Sequence, residues 1–113
     1  MRCVTLFGHG PNWQYGKTVY EQGEAIDGHL QLMRRRFDEG TLLLGGPFDS
    51  GGGIAVLETP DAIAAMELLE ADPAVMAGVL GYRLHRLHAY FDAFASVRTD
   101  LSVARLAPQR QEG

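Results

Sequence analysis

Apolar and polar positions recur along this chain with two different periods, and the changes between them mark out its elements. Residues Cys3 to Phe7 form a short β-prone run that stops at Gly8-His9-Gly10-Pro11, which predicts a strand and then a loop. The loop runs on through Asn12, Trp13, Gln14, Tyr15, Gly16 and Lys17, side chains well suited to binding. From about Tyr20 to Glu39 the apolar residues Ile26, Leu30, Met33 and Phe37 repeat at helical spacing on one face, and Gly40 supplies the C-cap. Thr41 to Phe48 and Gly53 to Glu58 are two further β-prone runs joined across Asp49-Ser50-Gly51-Gly52, the pattern of a hairpin.

Thr59-Pro60 reads as the N-cap and first-turn proline of a second helix, carried by Ala62, Ala65, Met66 and Leu69 as far as Ala71. After Asp72-Pro73 and Gly78, the segment Val79 to His88 sets Leu80, Tyr82 and Leu84 on one face and Arg83 and His85 on the other, as a half-buried strand does. The order is therefore βαββαβ, an α+β ferredoxin-like arrangement whose antiparallel sheet has helices on one face only. An apolar sheet face left wet costs about 25 cal/mol per Å², so the expectation is a homodimer that dimerises through the sheet face. Beyond residue 90, Phe91, Phe94 and Val97 stand at helical spacing ahead of the polar end Gln109-Arg110-Gln111-Glu112-Gly113, which predicts a C-terminal helical extension and a frayed tail. The expected division is one ferredoxin-like domain over 1–89 and the extension over 90–113.

Composition narrows the function classes. The 113 residues suffice for one hydrophobic core, and 46% hydrophobic with 21% charged residues is the balance of a globular chain. The formal net charge is −4, and the ten Lys and Arg residues are dispersed except at Arg34, Arg35 and Arg36, so the footprint of a nucleic-acid binder is missing. That triplet reads as a solvated or dimer-contact patch. The lone Cys3 excludes an internal disulfide and a multi-cysteine zinc site, and it fits a reducing compartment. No apolar run approaches the roughly 20 residues that span a bilayer, and Cys3 to Phe7 is too short for a signal-peptide core. The expectation is a cytoplasmic protein that binds neither membrane nor nucleic acid.

His9, His29, His85 and His88 are the natural candidates for proton transfer. His29 adjoins the apolar stripe of the first helix, at the edge of the core, where a cleft histidine or a packed boundary histidine would sit. Asp72 stands at the end of the second helix, where the helix dipole disfavours a carboxylate. Two roles fit it: N-cap of a short helix from Pro73 to Ala77, or the carboxylate that fixes the tautomer of a histidine, and one oxygen can serve each. Trp13 and Lys17, with Gln22 beyond them, suit either the wall of an apolar pocket with a few polar contacts or a well-packed loop anchored by Trp13. Gly8-His9-Gly10 lacks the further glycine of a dinucleotide loop, and Gly51-Gly52-Gly53 lies in a hairpin, so both read as turns. His85 and His88 point to opposite faces of a strand, which argues against a metal site. Ser50 and Cys3 have no evident base partner for nucleophilic catalysis.

Taken together, Gly10-Pro11-Asn12-Trp13, Gln22, His29, the run Gly-Thr-Leu-Leu-Leu-Gly-Gly-Pro-Phe over 40–48, and Asp72-Pro73 resemble the YCII-related domain family of the dimeric α/β-barrel superfamily, over about residues 2 to 89. The resemblance implies a dimeric ferredoxin-like fold and a histidine–aspartate pair that falls on His29 and Asp72. Family members include a dehydrochlorinase acting on a chlorinated hydroxyquinol, and related folds host muconolactone isomerases and cofactor-free monooxygenases. This chain departs from the pattern in having Ala74 where an aromatic often follows Asp-Pro, and Ala89-Tyr90 where the last strand often ends in Pro-Trp. The reading that follows is a cofactor-independent lyase or isomerase without a metal, catalysing elimination, tautomerisation or cyclisation of a small cyclic carbonyl or phenolic substrate. In it His29 moves the proton, Asp72 orients the ring, Trp13 stacks on the substrate, and Lys17 and Gln22 hydrogen-bond a developing oxyanion. Its rivals are a non-catalytic dimeric module binding a small ligand or partner in the same cleft, and a cofactor-free monooxygenase.

Overall fold

A computed structural model of the chain describes residues 1–94 and the backbone of 97–98. Strand β1 (Arg2–His9) runs down the middle of a four-stranded antiparallel sheet, with β3 (Gly53–Glu58) on one side and β4 (Leu80–Leu87) on the other; β2 (Leu42–Pro47) forms the edge beside β3. Helices α1 (Glu24–Asp38), α2 (Ala62–Glu70) and the short α3 (Pro73–Met76) complete the βαββαβ order. This is a ferredoxin-like α+β arrangement.

The pleat decides which side chains meet the helices. Cys3, Thr5 and Phe7 point to one face, across from Leu57, Ala55 and Gly53 on β3 and from Arg86, Leu84 and Tyr82 on β4. Cys3, Leu42, Ala55 and Leu57 pack there against Ala65 and Leu69 of α2, a cluster in which Leu57 and Leu69 are wholly buried. Full burial of a leucine is worth about 1.5–3 kcal/mol, so these two side chains fasten α2 to the sheet. Tyr82 adds a polar tie, its hydroxyl donating to Glu70 at 2.5 Å, and this bond pushes the phenol up to about 12. A second cluster, Ile26, Ala74, Val79 and Leu80, joins α1, α3 and the start of β4. The opposite sheet face carries Val4, Leu6, Ile54 and Val56 half-buried, with Leu44 and Leu87 exposed, and among the described residues no helix covers it.

Three local expectations change. Helix α1 begins at Glu24 and not near Tyr20, because Gly23 sits at φ 99 and interrupts the backbone; Val19–Glu21 forms a separate 3₁₀ turn instead. Glu21 accepts from the backbone N–H and hydroxyl of Thr18, which holds its carboxyl below the ordinary value. At the other end Gly40, at φ 84, closes a Schellman motif, with its N–H donating to Phe37 and that of Thr41 to Arg36. Helix α2 is capped by Asp61, whose Oδ1 accepts from the Ala64 N–H, and not by Thr59. The Thr59 hydroxyl is buried and donates to the carbonyl of Asp61, leaving the cap to the stronger acceptor. Where the C-terminal helix was expected to start, β5 (Phe91–Asp92) pairs antiparallel with β6 (Val97–Arg98). Asp92 there takes the guanidinium of Arg2 at 2.7 Å. The rest of the expected extension lies outside the described residues. Among the described residues no helix is long and apolar enough to cross a membrane.

Candidate active site

The apolar stripe of α1 only partly meets protein. Ile26 is buried, but Leu30 is 49% exposed, and with Met33 it faces a cavity of about 510 Å³ between α1 and the sheet. The cause is the sheet floor, where Gly45, Gly53 and Ala55 put almost no side chain into the gap. Phe7 forms the back of this space, the β1–α1 loop closes one end with Trp13, Lys17 and Tyr20, and the β2–β3 turn brings Phe48 and Asp49 to the rim. The volume is that of an ordinary small-molecule site.

His29 projects from α1 into the cavity wall. Its Nδ1–H donates to Oδ2 of Asp72 at 2.6 Å, and the Asp72 side chain is completely buried behind it. The other carboxylate oxygen, Oδ1, accepts the N–H of Ala74 at 2.8 Å and caps α3. One carboxylate thus ends a helix and holds an imidazole. A carboxylate can only accept, so the proton of the neutral ring is fixed on Nδ1 and Nε2 is the nitrogen with a free lone pair. Phe7 presses edge-on against the same ring, 5.3 Å between centroids at 83°. Gly28 makes the approach between the two elements close enough: a Cβ there would lie 2.9 Å from Cγ of Pro73. A glycine inside a helix costs about 1 kcal/mol relative to alanine, and here it lets the Asp72-Pro73 step reach α1.

Not every residue expected at the site is on its wall. Trp13 and Lys17 line the cavity. One face of the Trp13 indole, however, is covered by the His9 imidazole, stacked at 4.0 Å and 5°, so that face is closed to a substrate. Gln22 does not line the cavity. Its amide is 4% exposed; Oε1 accepts from the Gln14 N–H, and Nε2 donates to the carbonyls of Gln14 and Thr18, which fixes the loop that carries Trp13 and Lys17. A buried side chain with both ends engaged by backbone holds the loop from beneath the cavity wall. His9, in contrast, is on the wall. Its position was readable in the pleat, since Thr5, Phe7 and His9 follow one another on the helix-facing side. His85 is exposed on β4, with His88 just beyond the strand, and among the described residues no group of three His, Cys, Asp or Glu side chains could hold a metal ion.

No family model matches this sequence, and no curated protein is detectably similar to it. Among solved structures, 5-chloro-2-hydroxyhydroquinone dehydrochlorinase (TftG) from Burkholderia phenoliruptrix AC1100, in complex with 2,5-dihydroxybenzoquinone, matches with a TM-score of 0.59. The match covers 77% of this chain and 93% of the other, at 16% identity. At that identity, what the two chains share is the fold.

Proposed function

We propose that this protein is a small, cofactor-independent acid/base enzyme of the lyase or isomerase type, acting on a small cyclic carbonyl or phenolic substrate, and a member of the YCII-related family. The observation that carries the reading is the His29–Asp72 pair, a buried carboxylate 2.6 Å from an imidazole on the wall of a cavity of about 510 Å³. In this reading Nε2 of His29 takes a proton next to a carbonyl or from a phenol. Asp72 keeps the ring in the required tautomer and stabilises the imidazolium that forms. Lys17 meets negative charge as it develops on the substrate oxygen, and Phe7, Leu30 and Met33 exclude water from the ring. That the dehydrochlorinase of the same fold binds a dihydroxybenzoquinone makes hydroxyquinones and chlorinated hydroxyquinols the first compounds to try.

Two measurements test this. In nitrogen-edited NMR of the native protein, His29 should show a single tautomer with a slowly exchanging Nδ1–H, and Asp72→Asn should return the ring to a mixture. His29→Ala should lower the rate of chloride release from 5-chloro-2-hydroxyhydroquinone, or of the reaction found in its place, by about 10²-fold or more, with binding of 2,5-dihydroxybenzoquinone retained. A His29→Ala variant that loses affinity but has no turnover to lose would make the chain a ligand-binding module. Oxygen uptake with these compounds would make it a monooxygenase.

We further propose that the protein is a cytoplasmic homodimer closed through the sheet face opposite the helices. Val4, Leu6, Ile54 and Val56 form the centre of that face, with Leu44 and Leu87 exposed beside them. Leu6→Lys places a charge at its middle without touching the cavity, and should convert a dimer to a monomer in sedimentation equilibrium. A native protein that sediments as a monomer at all concentrations would remove the dimer.

A further inference from the structure

We propose that His9 is a second proton-transfer residue of the same cavity, the general acid that protonates the leaving oxygen while His29 acts as base. This rests on the acid/base reading above and adds to it the class of reaction: an elimination in which a bond to oxygen breaks at the end of the substrate remote from His29.

His9 closes β1 on the side of the strand that carries Phe7, one pleat repeat or about 7 Å further along, and Phe7 is the residue whose ring touches His29. The two imidazoles therefore reach one cavity from two different elements, His29 from α1 and His9 from the end of β1. The orientation of His9 is set by two ring contacts, the parallel stack on Trp13 and an edge contact with Tyr15 at 5.7 Å and 73°. Stacking fixes the plane of the ring while leaving both nitrogens at its edge. Among the described residues no hydrogen bond or ion pair engages either nitrogen. Nε2 lies beside the β2–β3 turn, 4.0 Å from where a Cβ on Gly51 would stand. The groups that share this surroundings are Lys17 and Tyr15 from the loop, Asp49 from the turn, His29 from α1, and Arg83 from β4, which borders a shallow cleft with His9.

Elimination of a basic oxygen leaving group calls for two proton transfers at separated atoms, and a single fixed imidazole serves one of them. His29 accepts the proton from carbon, the C–H electron pair becomes the new π bond, the bond to the leaving oxygen breaks with its pair going to oxygen, and His9 delivers a proton to that oxygen. The substrate loses one proton to His29 and gains one from His9, and exchange with water restores both rings.

A pair of probes that differ only in leaving group separates acid catalysis from shape. Benzisoxazole and its nitro derivative both open by loss of the ring C–H proton and cleavage of the N–O bond to a cyanophenolate, and the nitro group makes that oxygen a far weaker base. His9→Gln should slow opening of benzisoxazole by about 10-fold or more and leave the nitro compound within about 3-fold, while His29→Ala should slow both. Equal losses on both probes, or none, overturn the role of His9 with that of His29 standing. Native protein that speeds neither probe nor chloride release from 5-chloro-2-hydroxyhydroquinone, or His29→Ala that keeps the native rates, overturns the acid/base reading itself. An arm without turnover uses the product: bound cyanophenol should shift the His9 imidazole nitrogens in NMR, and His9 signals that stay in place on saturation overturn the proposal whatever the rates show.

Discussion

Asp72→Ala is expected to destabilise the fold by about 3 kcal/mol, far more than loss of an ordinary helix cap, which costs about 1 kcal/mol. The reason is that the carboxylate is wholly buried and works at both oxygens. Its removal strands the Ala74 N–H in a buried position, where an unmade hydrogen bond costs about 1–3 kcal/mol, and it also removes the charge-assisted bond to His29, worth a similar amount. Asp72→Asn keeps an acceptor for Ala74 and should recover about half of the loss. The comparison within the same protein is Asp61→Ala, which deletes an exposed cap on α2 with the same 2.8 Å geometry and nothing behind it; about 1 kcal/mol is expected there. Urea unfolding of the three variants decides the matter. Equal midpoints for Asp72→Ala and Asp61→Ala would mean that the pairing with His29 contributes nothing to stability.

Gly10→Ala is expected to be at least as damaging. A Cβ at this position would lie 2.2 Å from the carbonyl oxygen of Gly78 and 2.7 Å from its carbon. Both are backbone atoms, so no rotamer relieves the overlap. Neither side can retreat without cost, because the Gly10 N–H donates to Val79 at 2.9 Å, the Asn12 N–H to Gly78 at 2.7 Å, and the Asn12 side chain to Ala77 at 2.9 Å. Overpacking of this kind costs about 1–3 kcal/mol and at times more, and here the clamp places it at the upper end. The strain would also spread the β1–α1 loop from the α3–β4 turn, displacing Trp13 and, through the stack, His9. Gly8→Ala is the control, since nothing lies within 4 Å of a Cβ there, and a change within about 0.5 kcal/mol is expected. A Gly10→Ala protein as stable as Gly8→Ala would show that the loop yields easily.

These positions also show what the sequence makes legible and what it does not. Element order followed from periodicity: Gly53 to Glu58 is strand to the residue, and Leu80, Tyr82 and Leu84 share the helix-facing side of β4. The double use of Asp72 followed from local chemistry, because a carboxylate before proline has two oxygens and only one is needed for the cap. What depends on distant contacts was hidden. Gln22 has the composition of a binding residue, and only the fold of the loop around it turns its amide inward. The stripe of α1 looks like core, yet Leu30 faces a cavity, because the glycines that leave the space empty lie on another element. Asp61 prevails over Thr59 as a cap because Thr59 is drawn under the chain by the N-terminal strand, whose Met1 carbonyl takes its N–H. Past residue 90 the spacing of Phe91, Phe94 and Val97 suits a helix, and the backbone pairs as strands instead.

The place of β1 in the sheet has a consequence for how the chain is made. Of the four strands of this sheet, β1 is made before the other three yet lies between two of them, and its partners arrive late: Cys3 waits for Leu57 on one side and Arg86 on the other. At a ribosomal rate of about 5–20 residues per second, the second edge of β1 stays unpaired for several seconds after the first turn of chain has emerged. During that interval β1 can pair with β3 alone, and its β4 side stays bare. A nascent chain halted before β4 should therefore carry the cavity floor of β2 and β3 but an open edge on β1, and release past Leu87 should be the moment at which that edge closes.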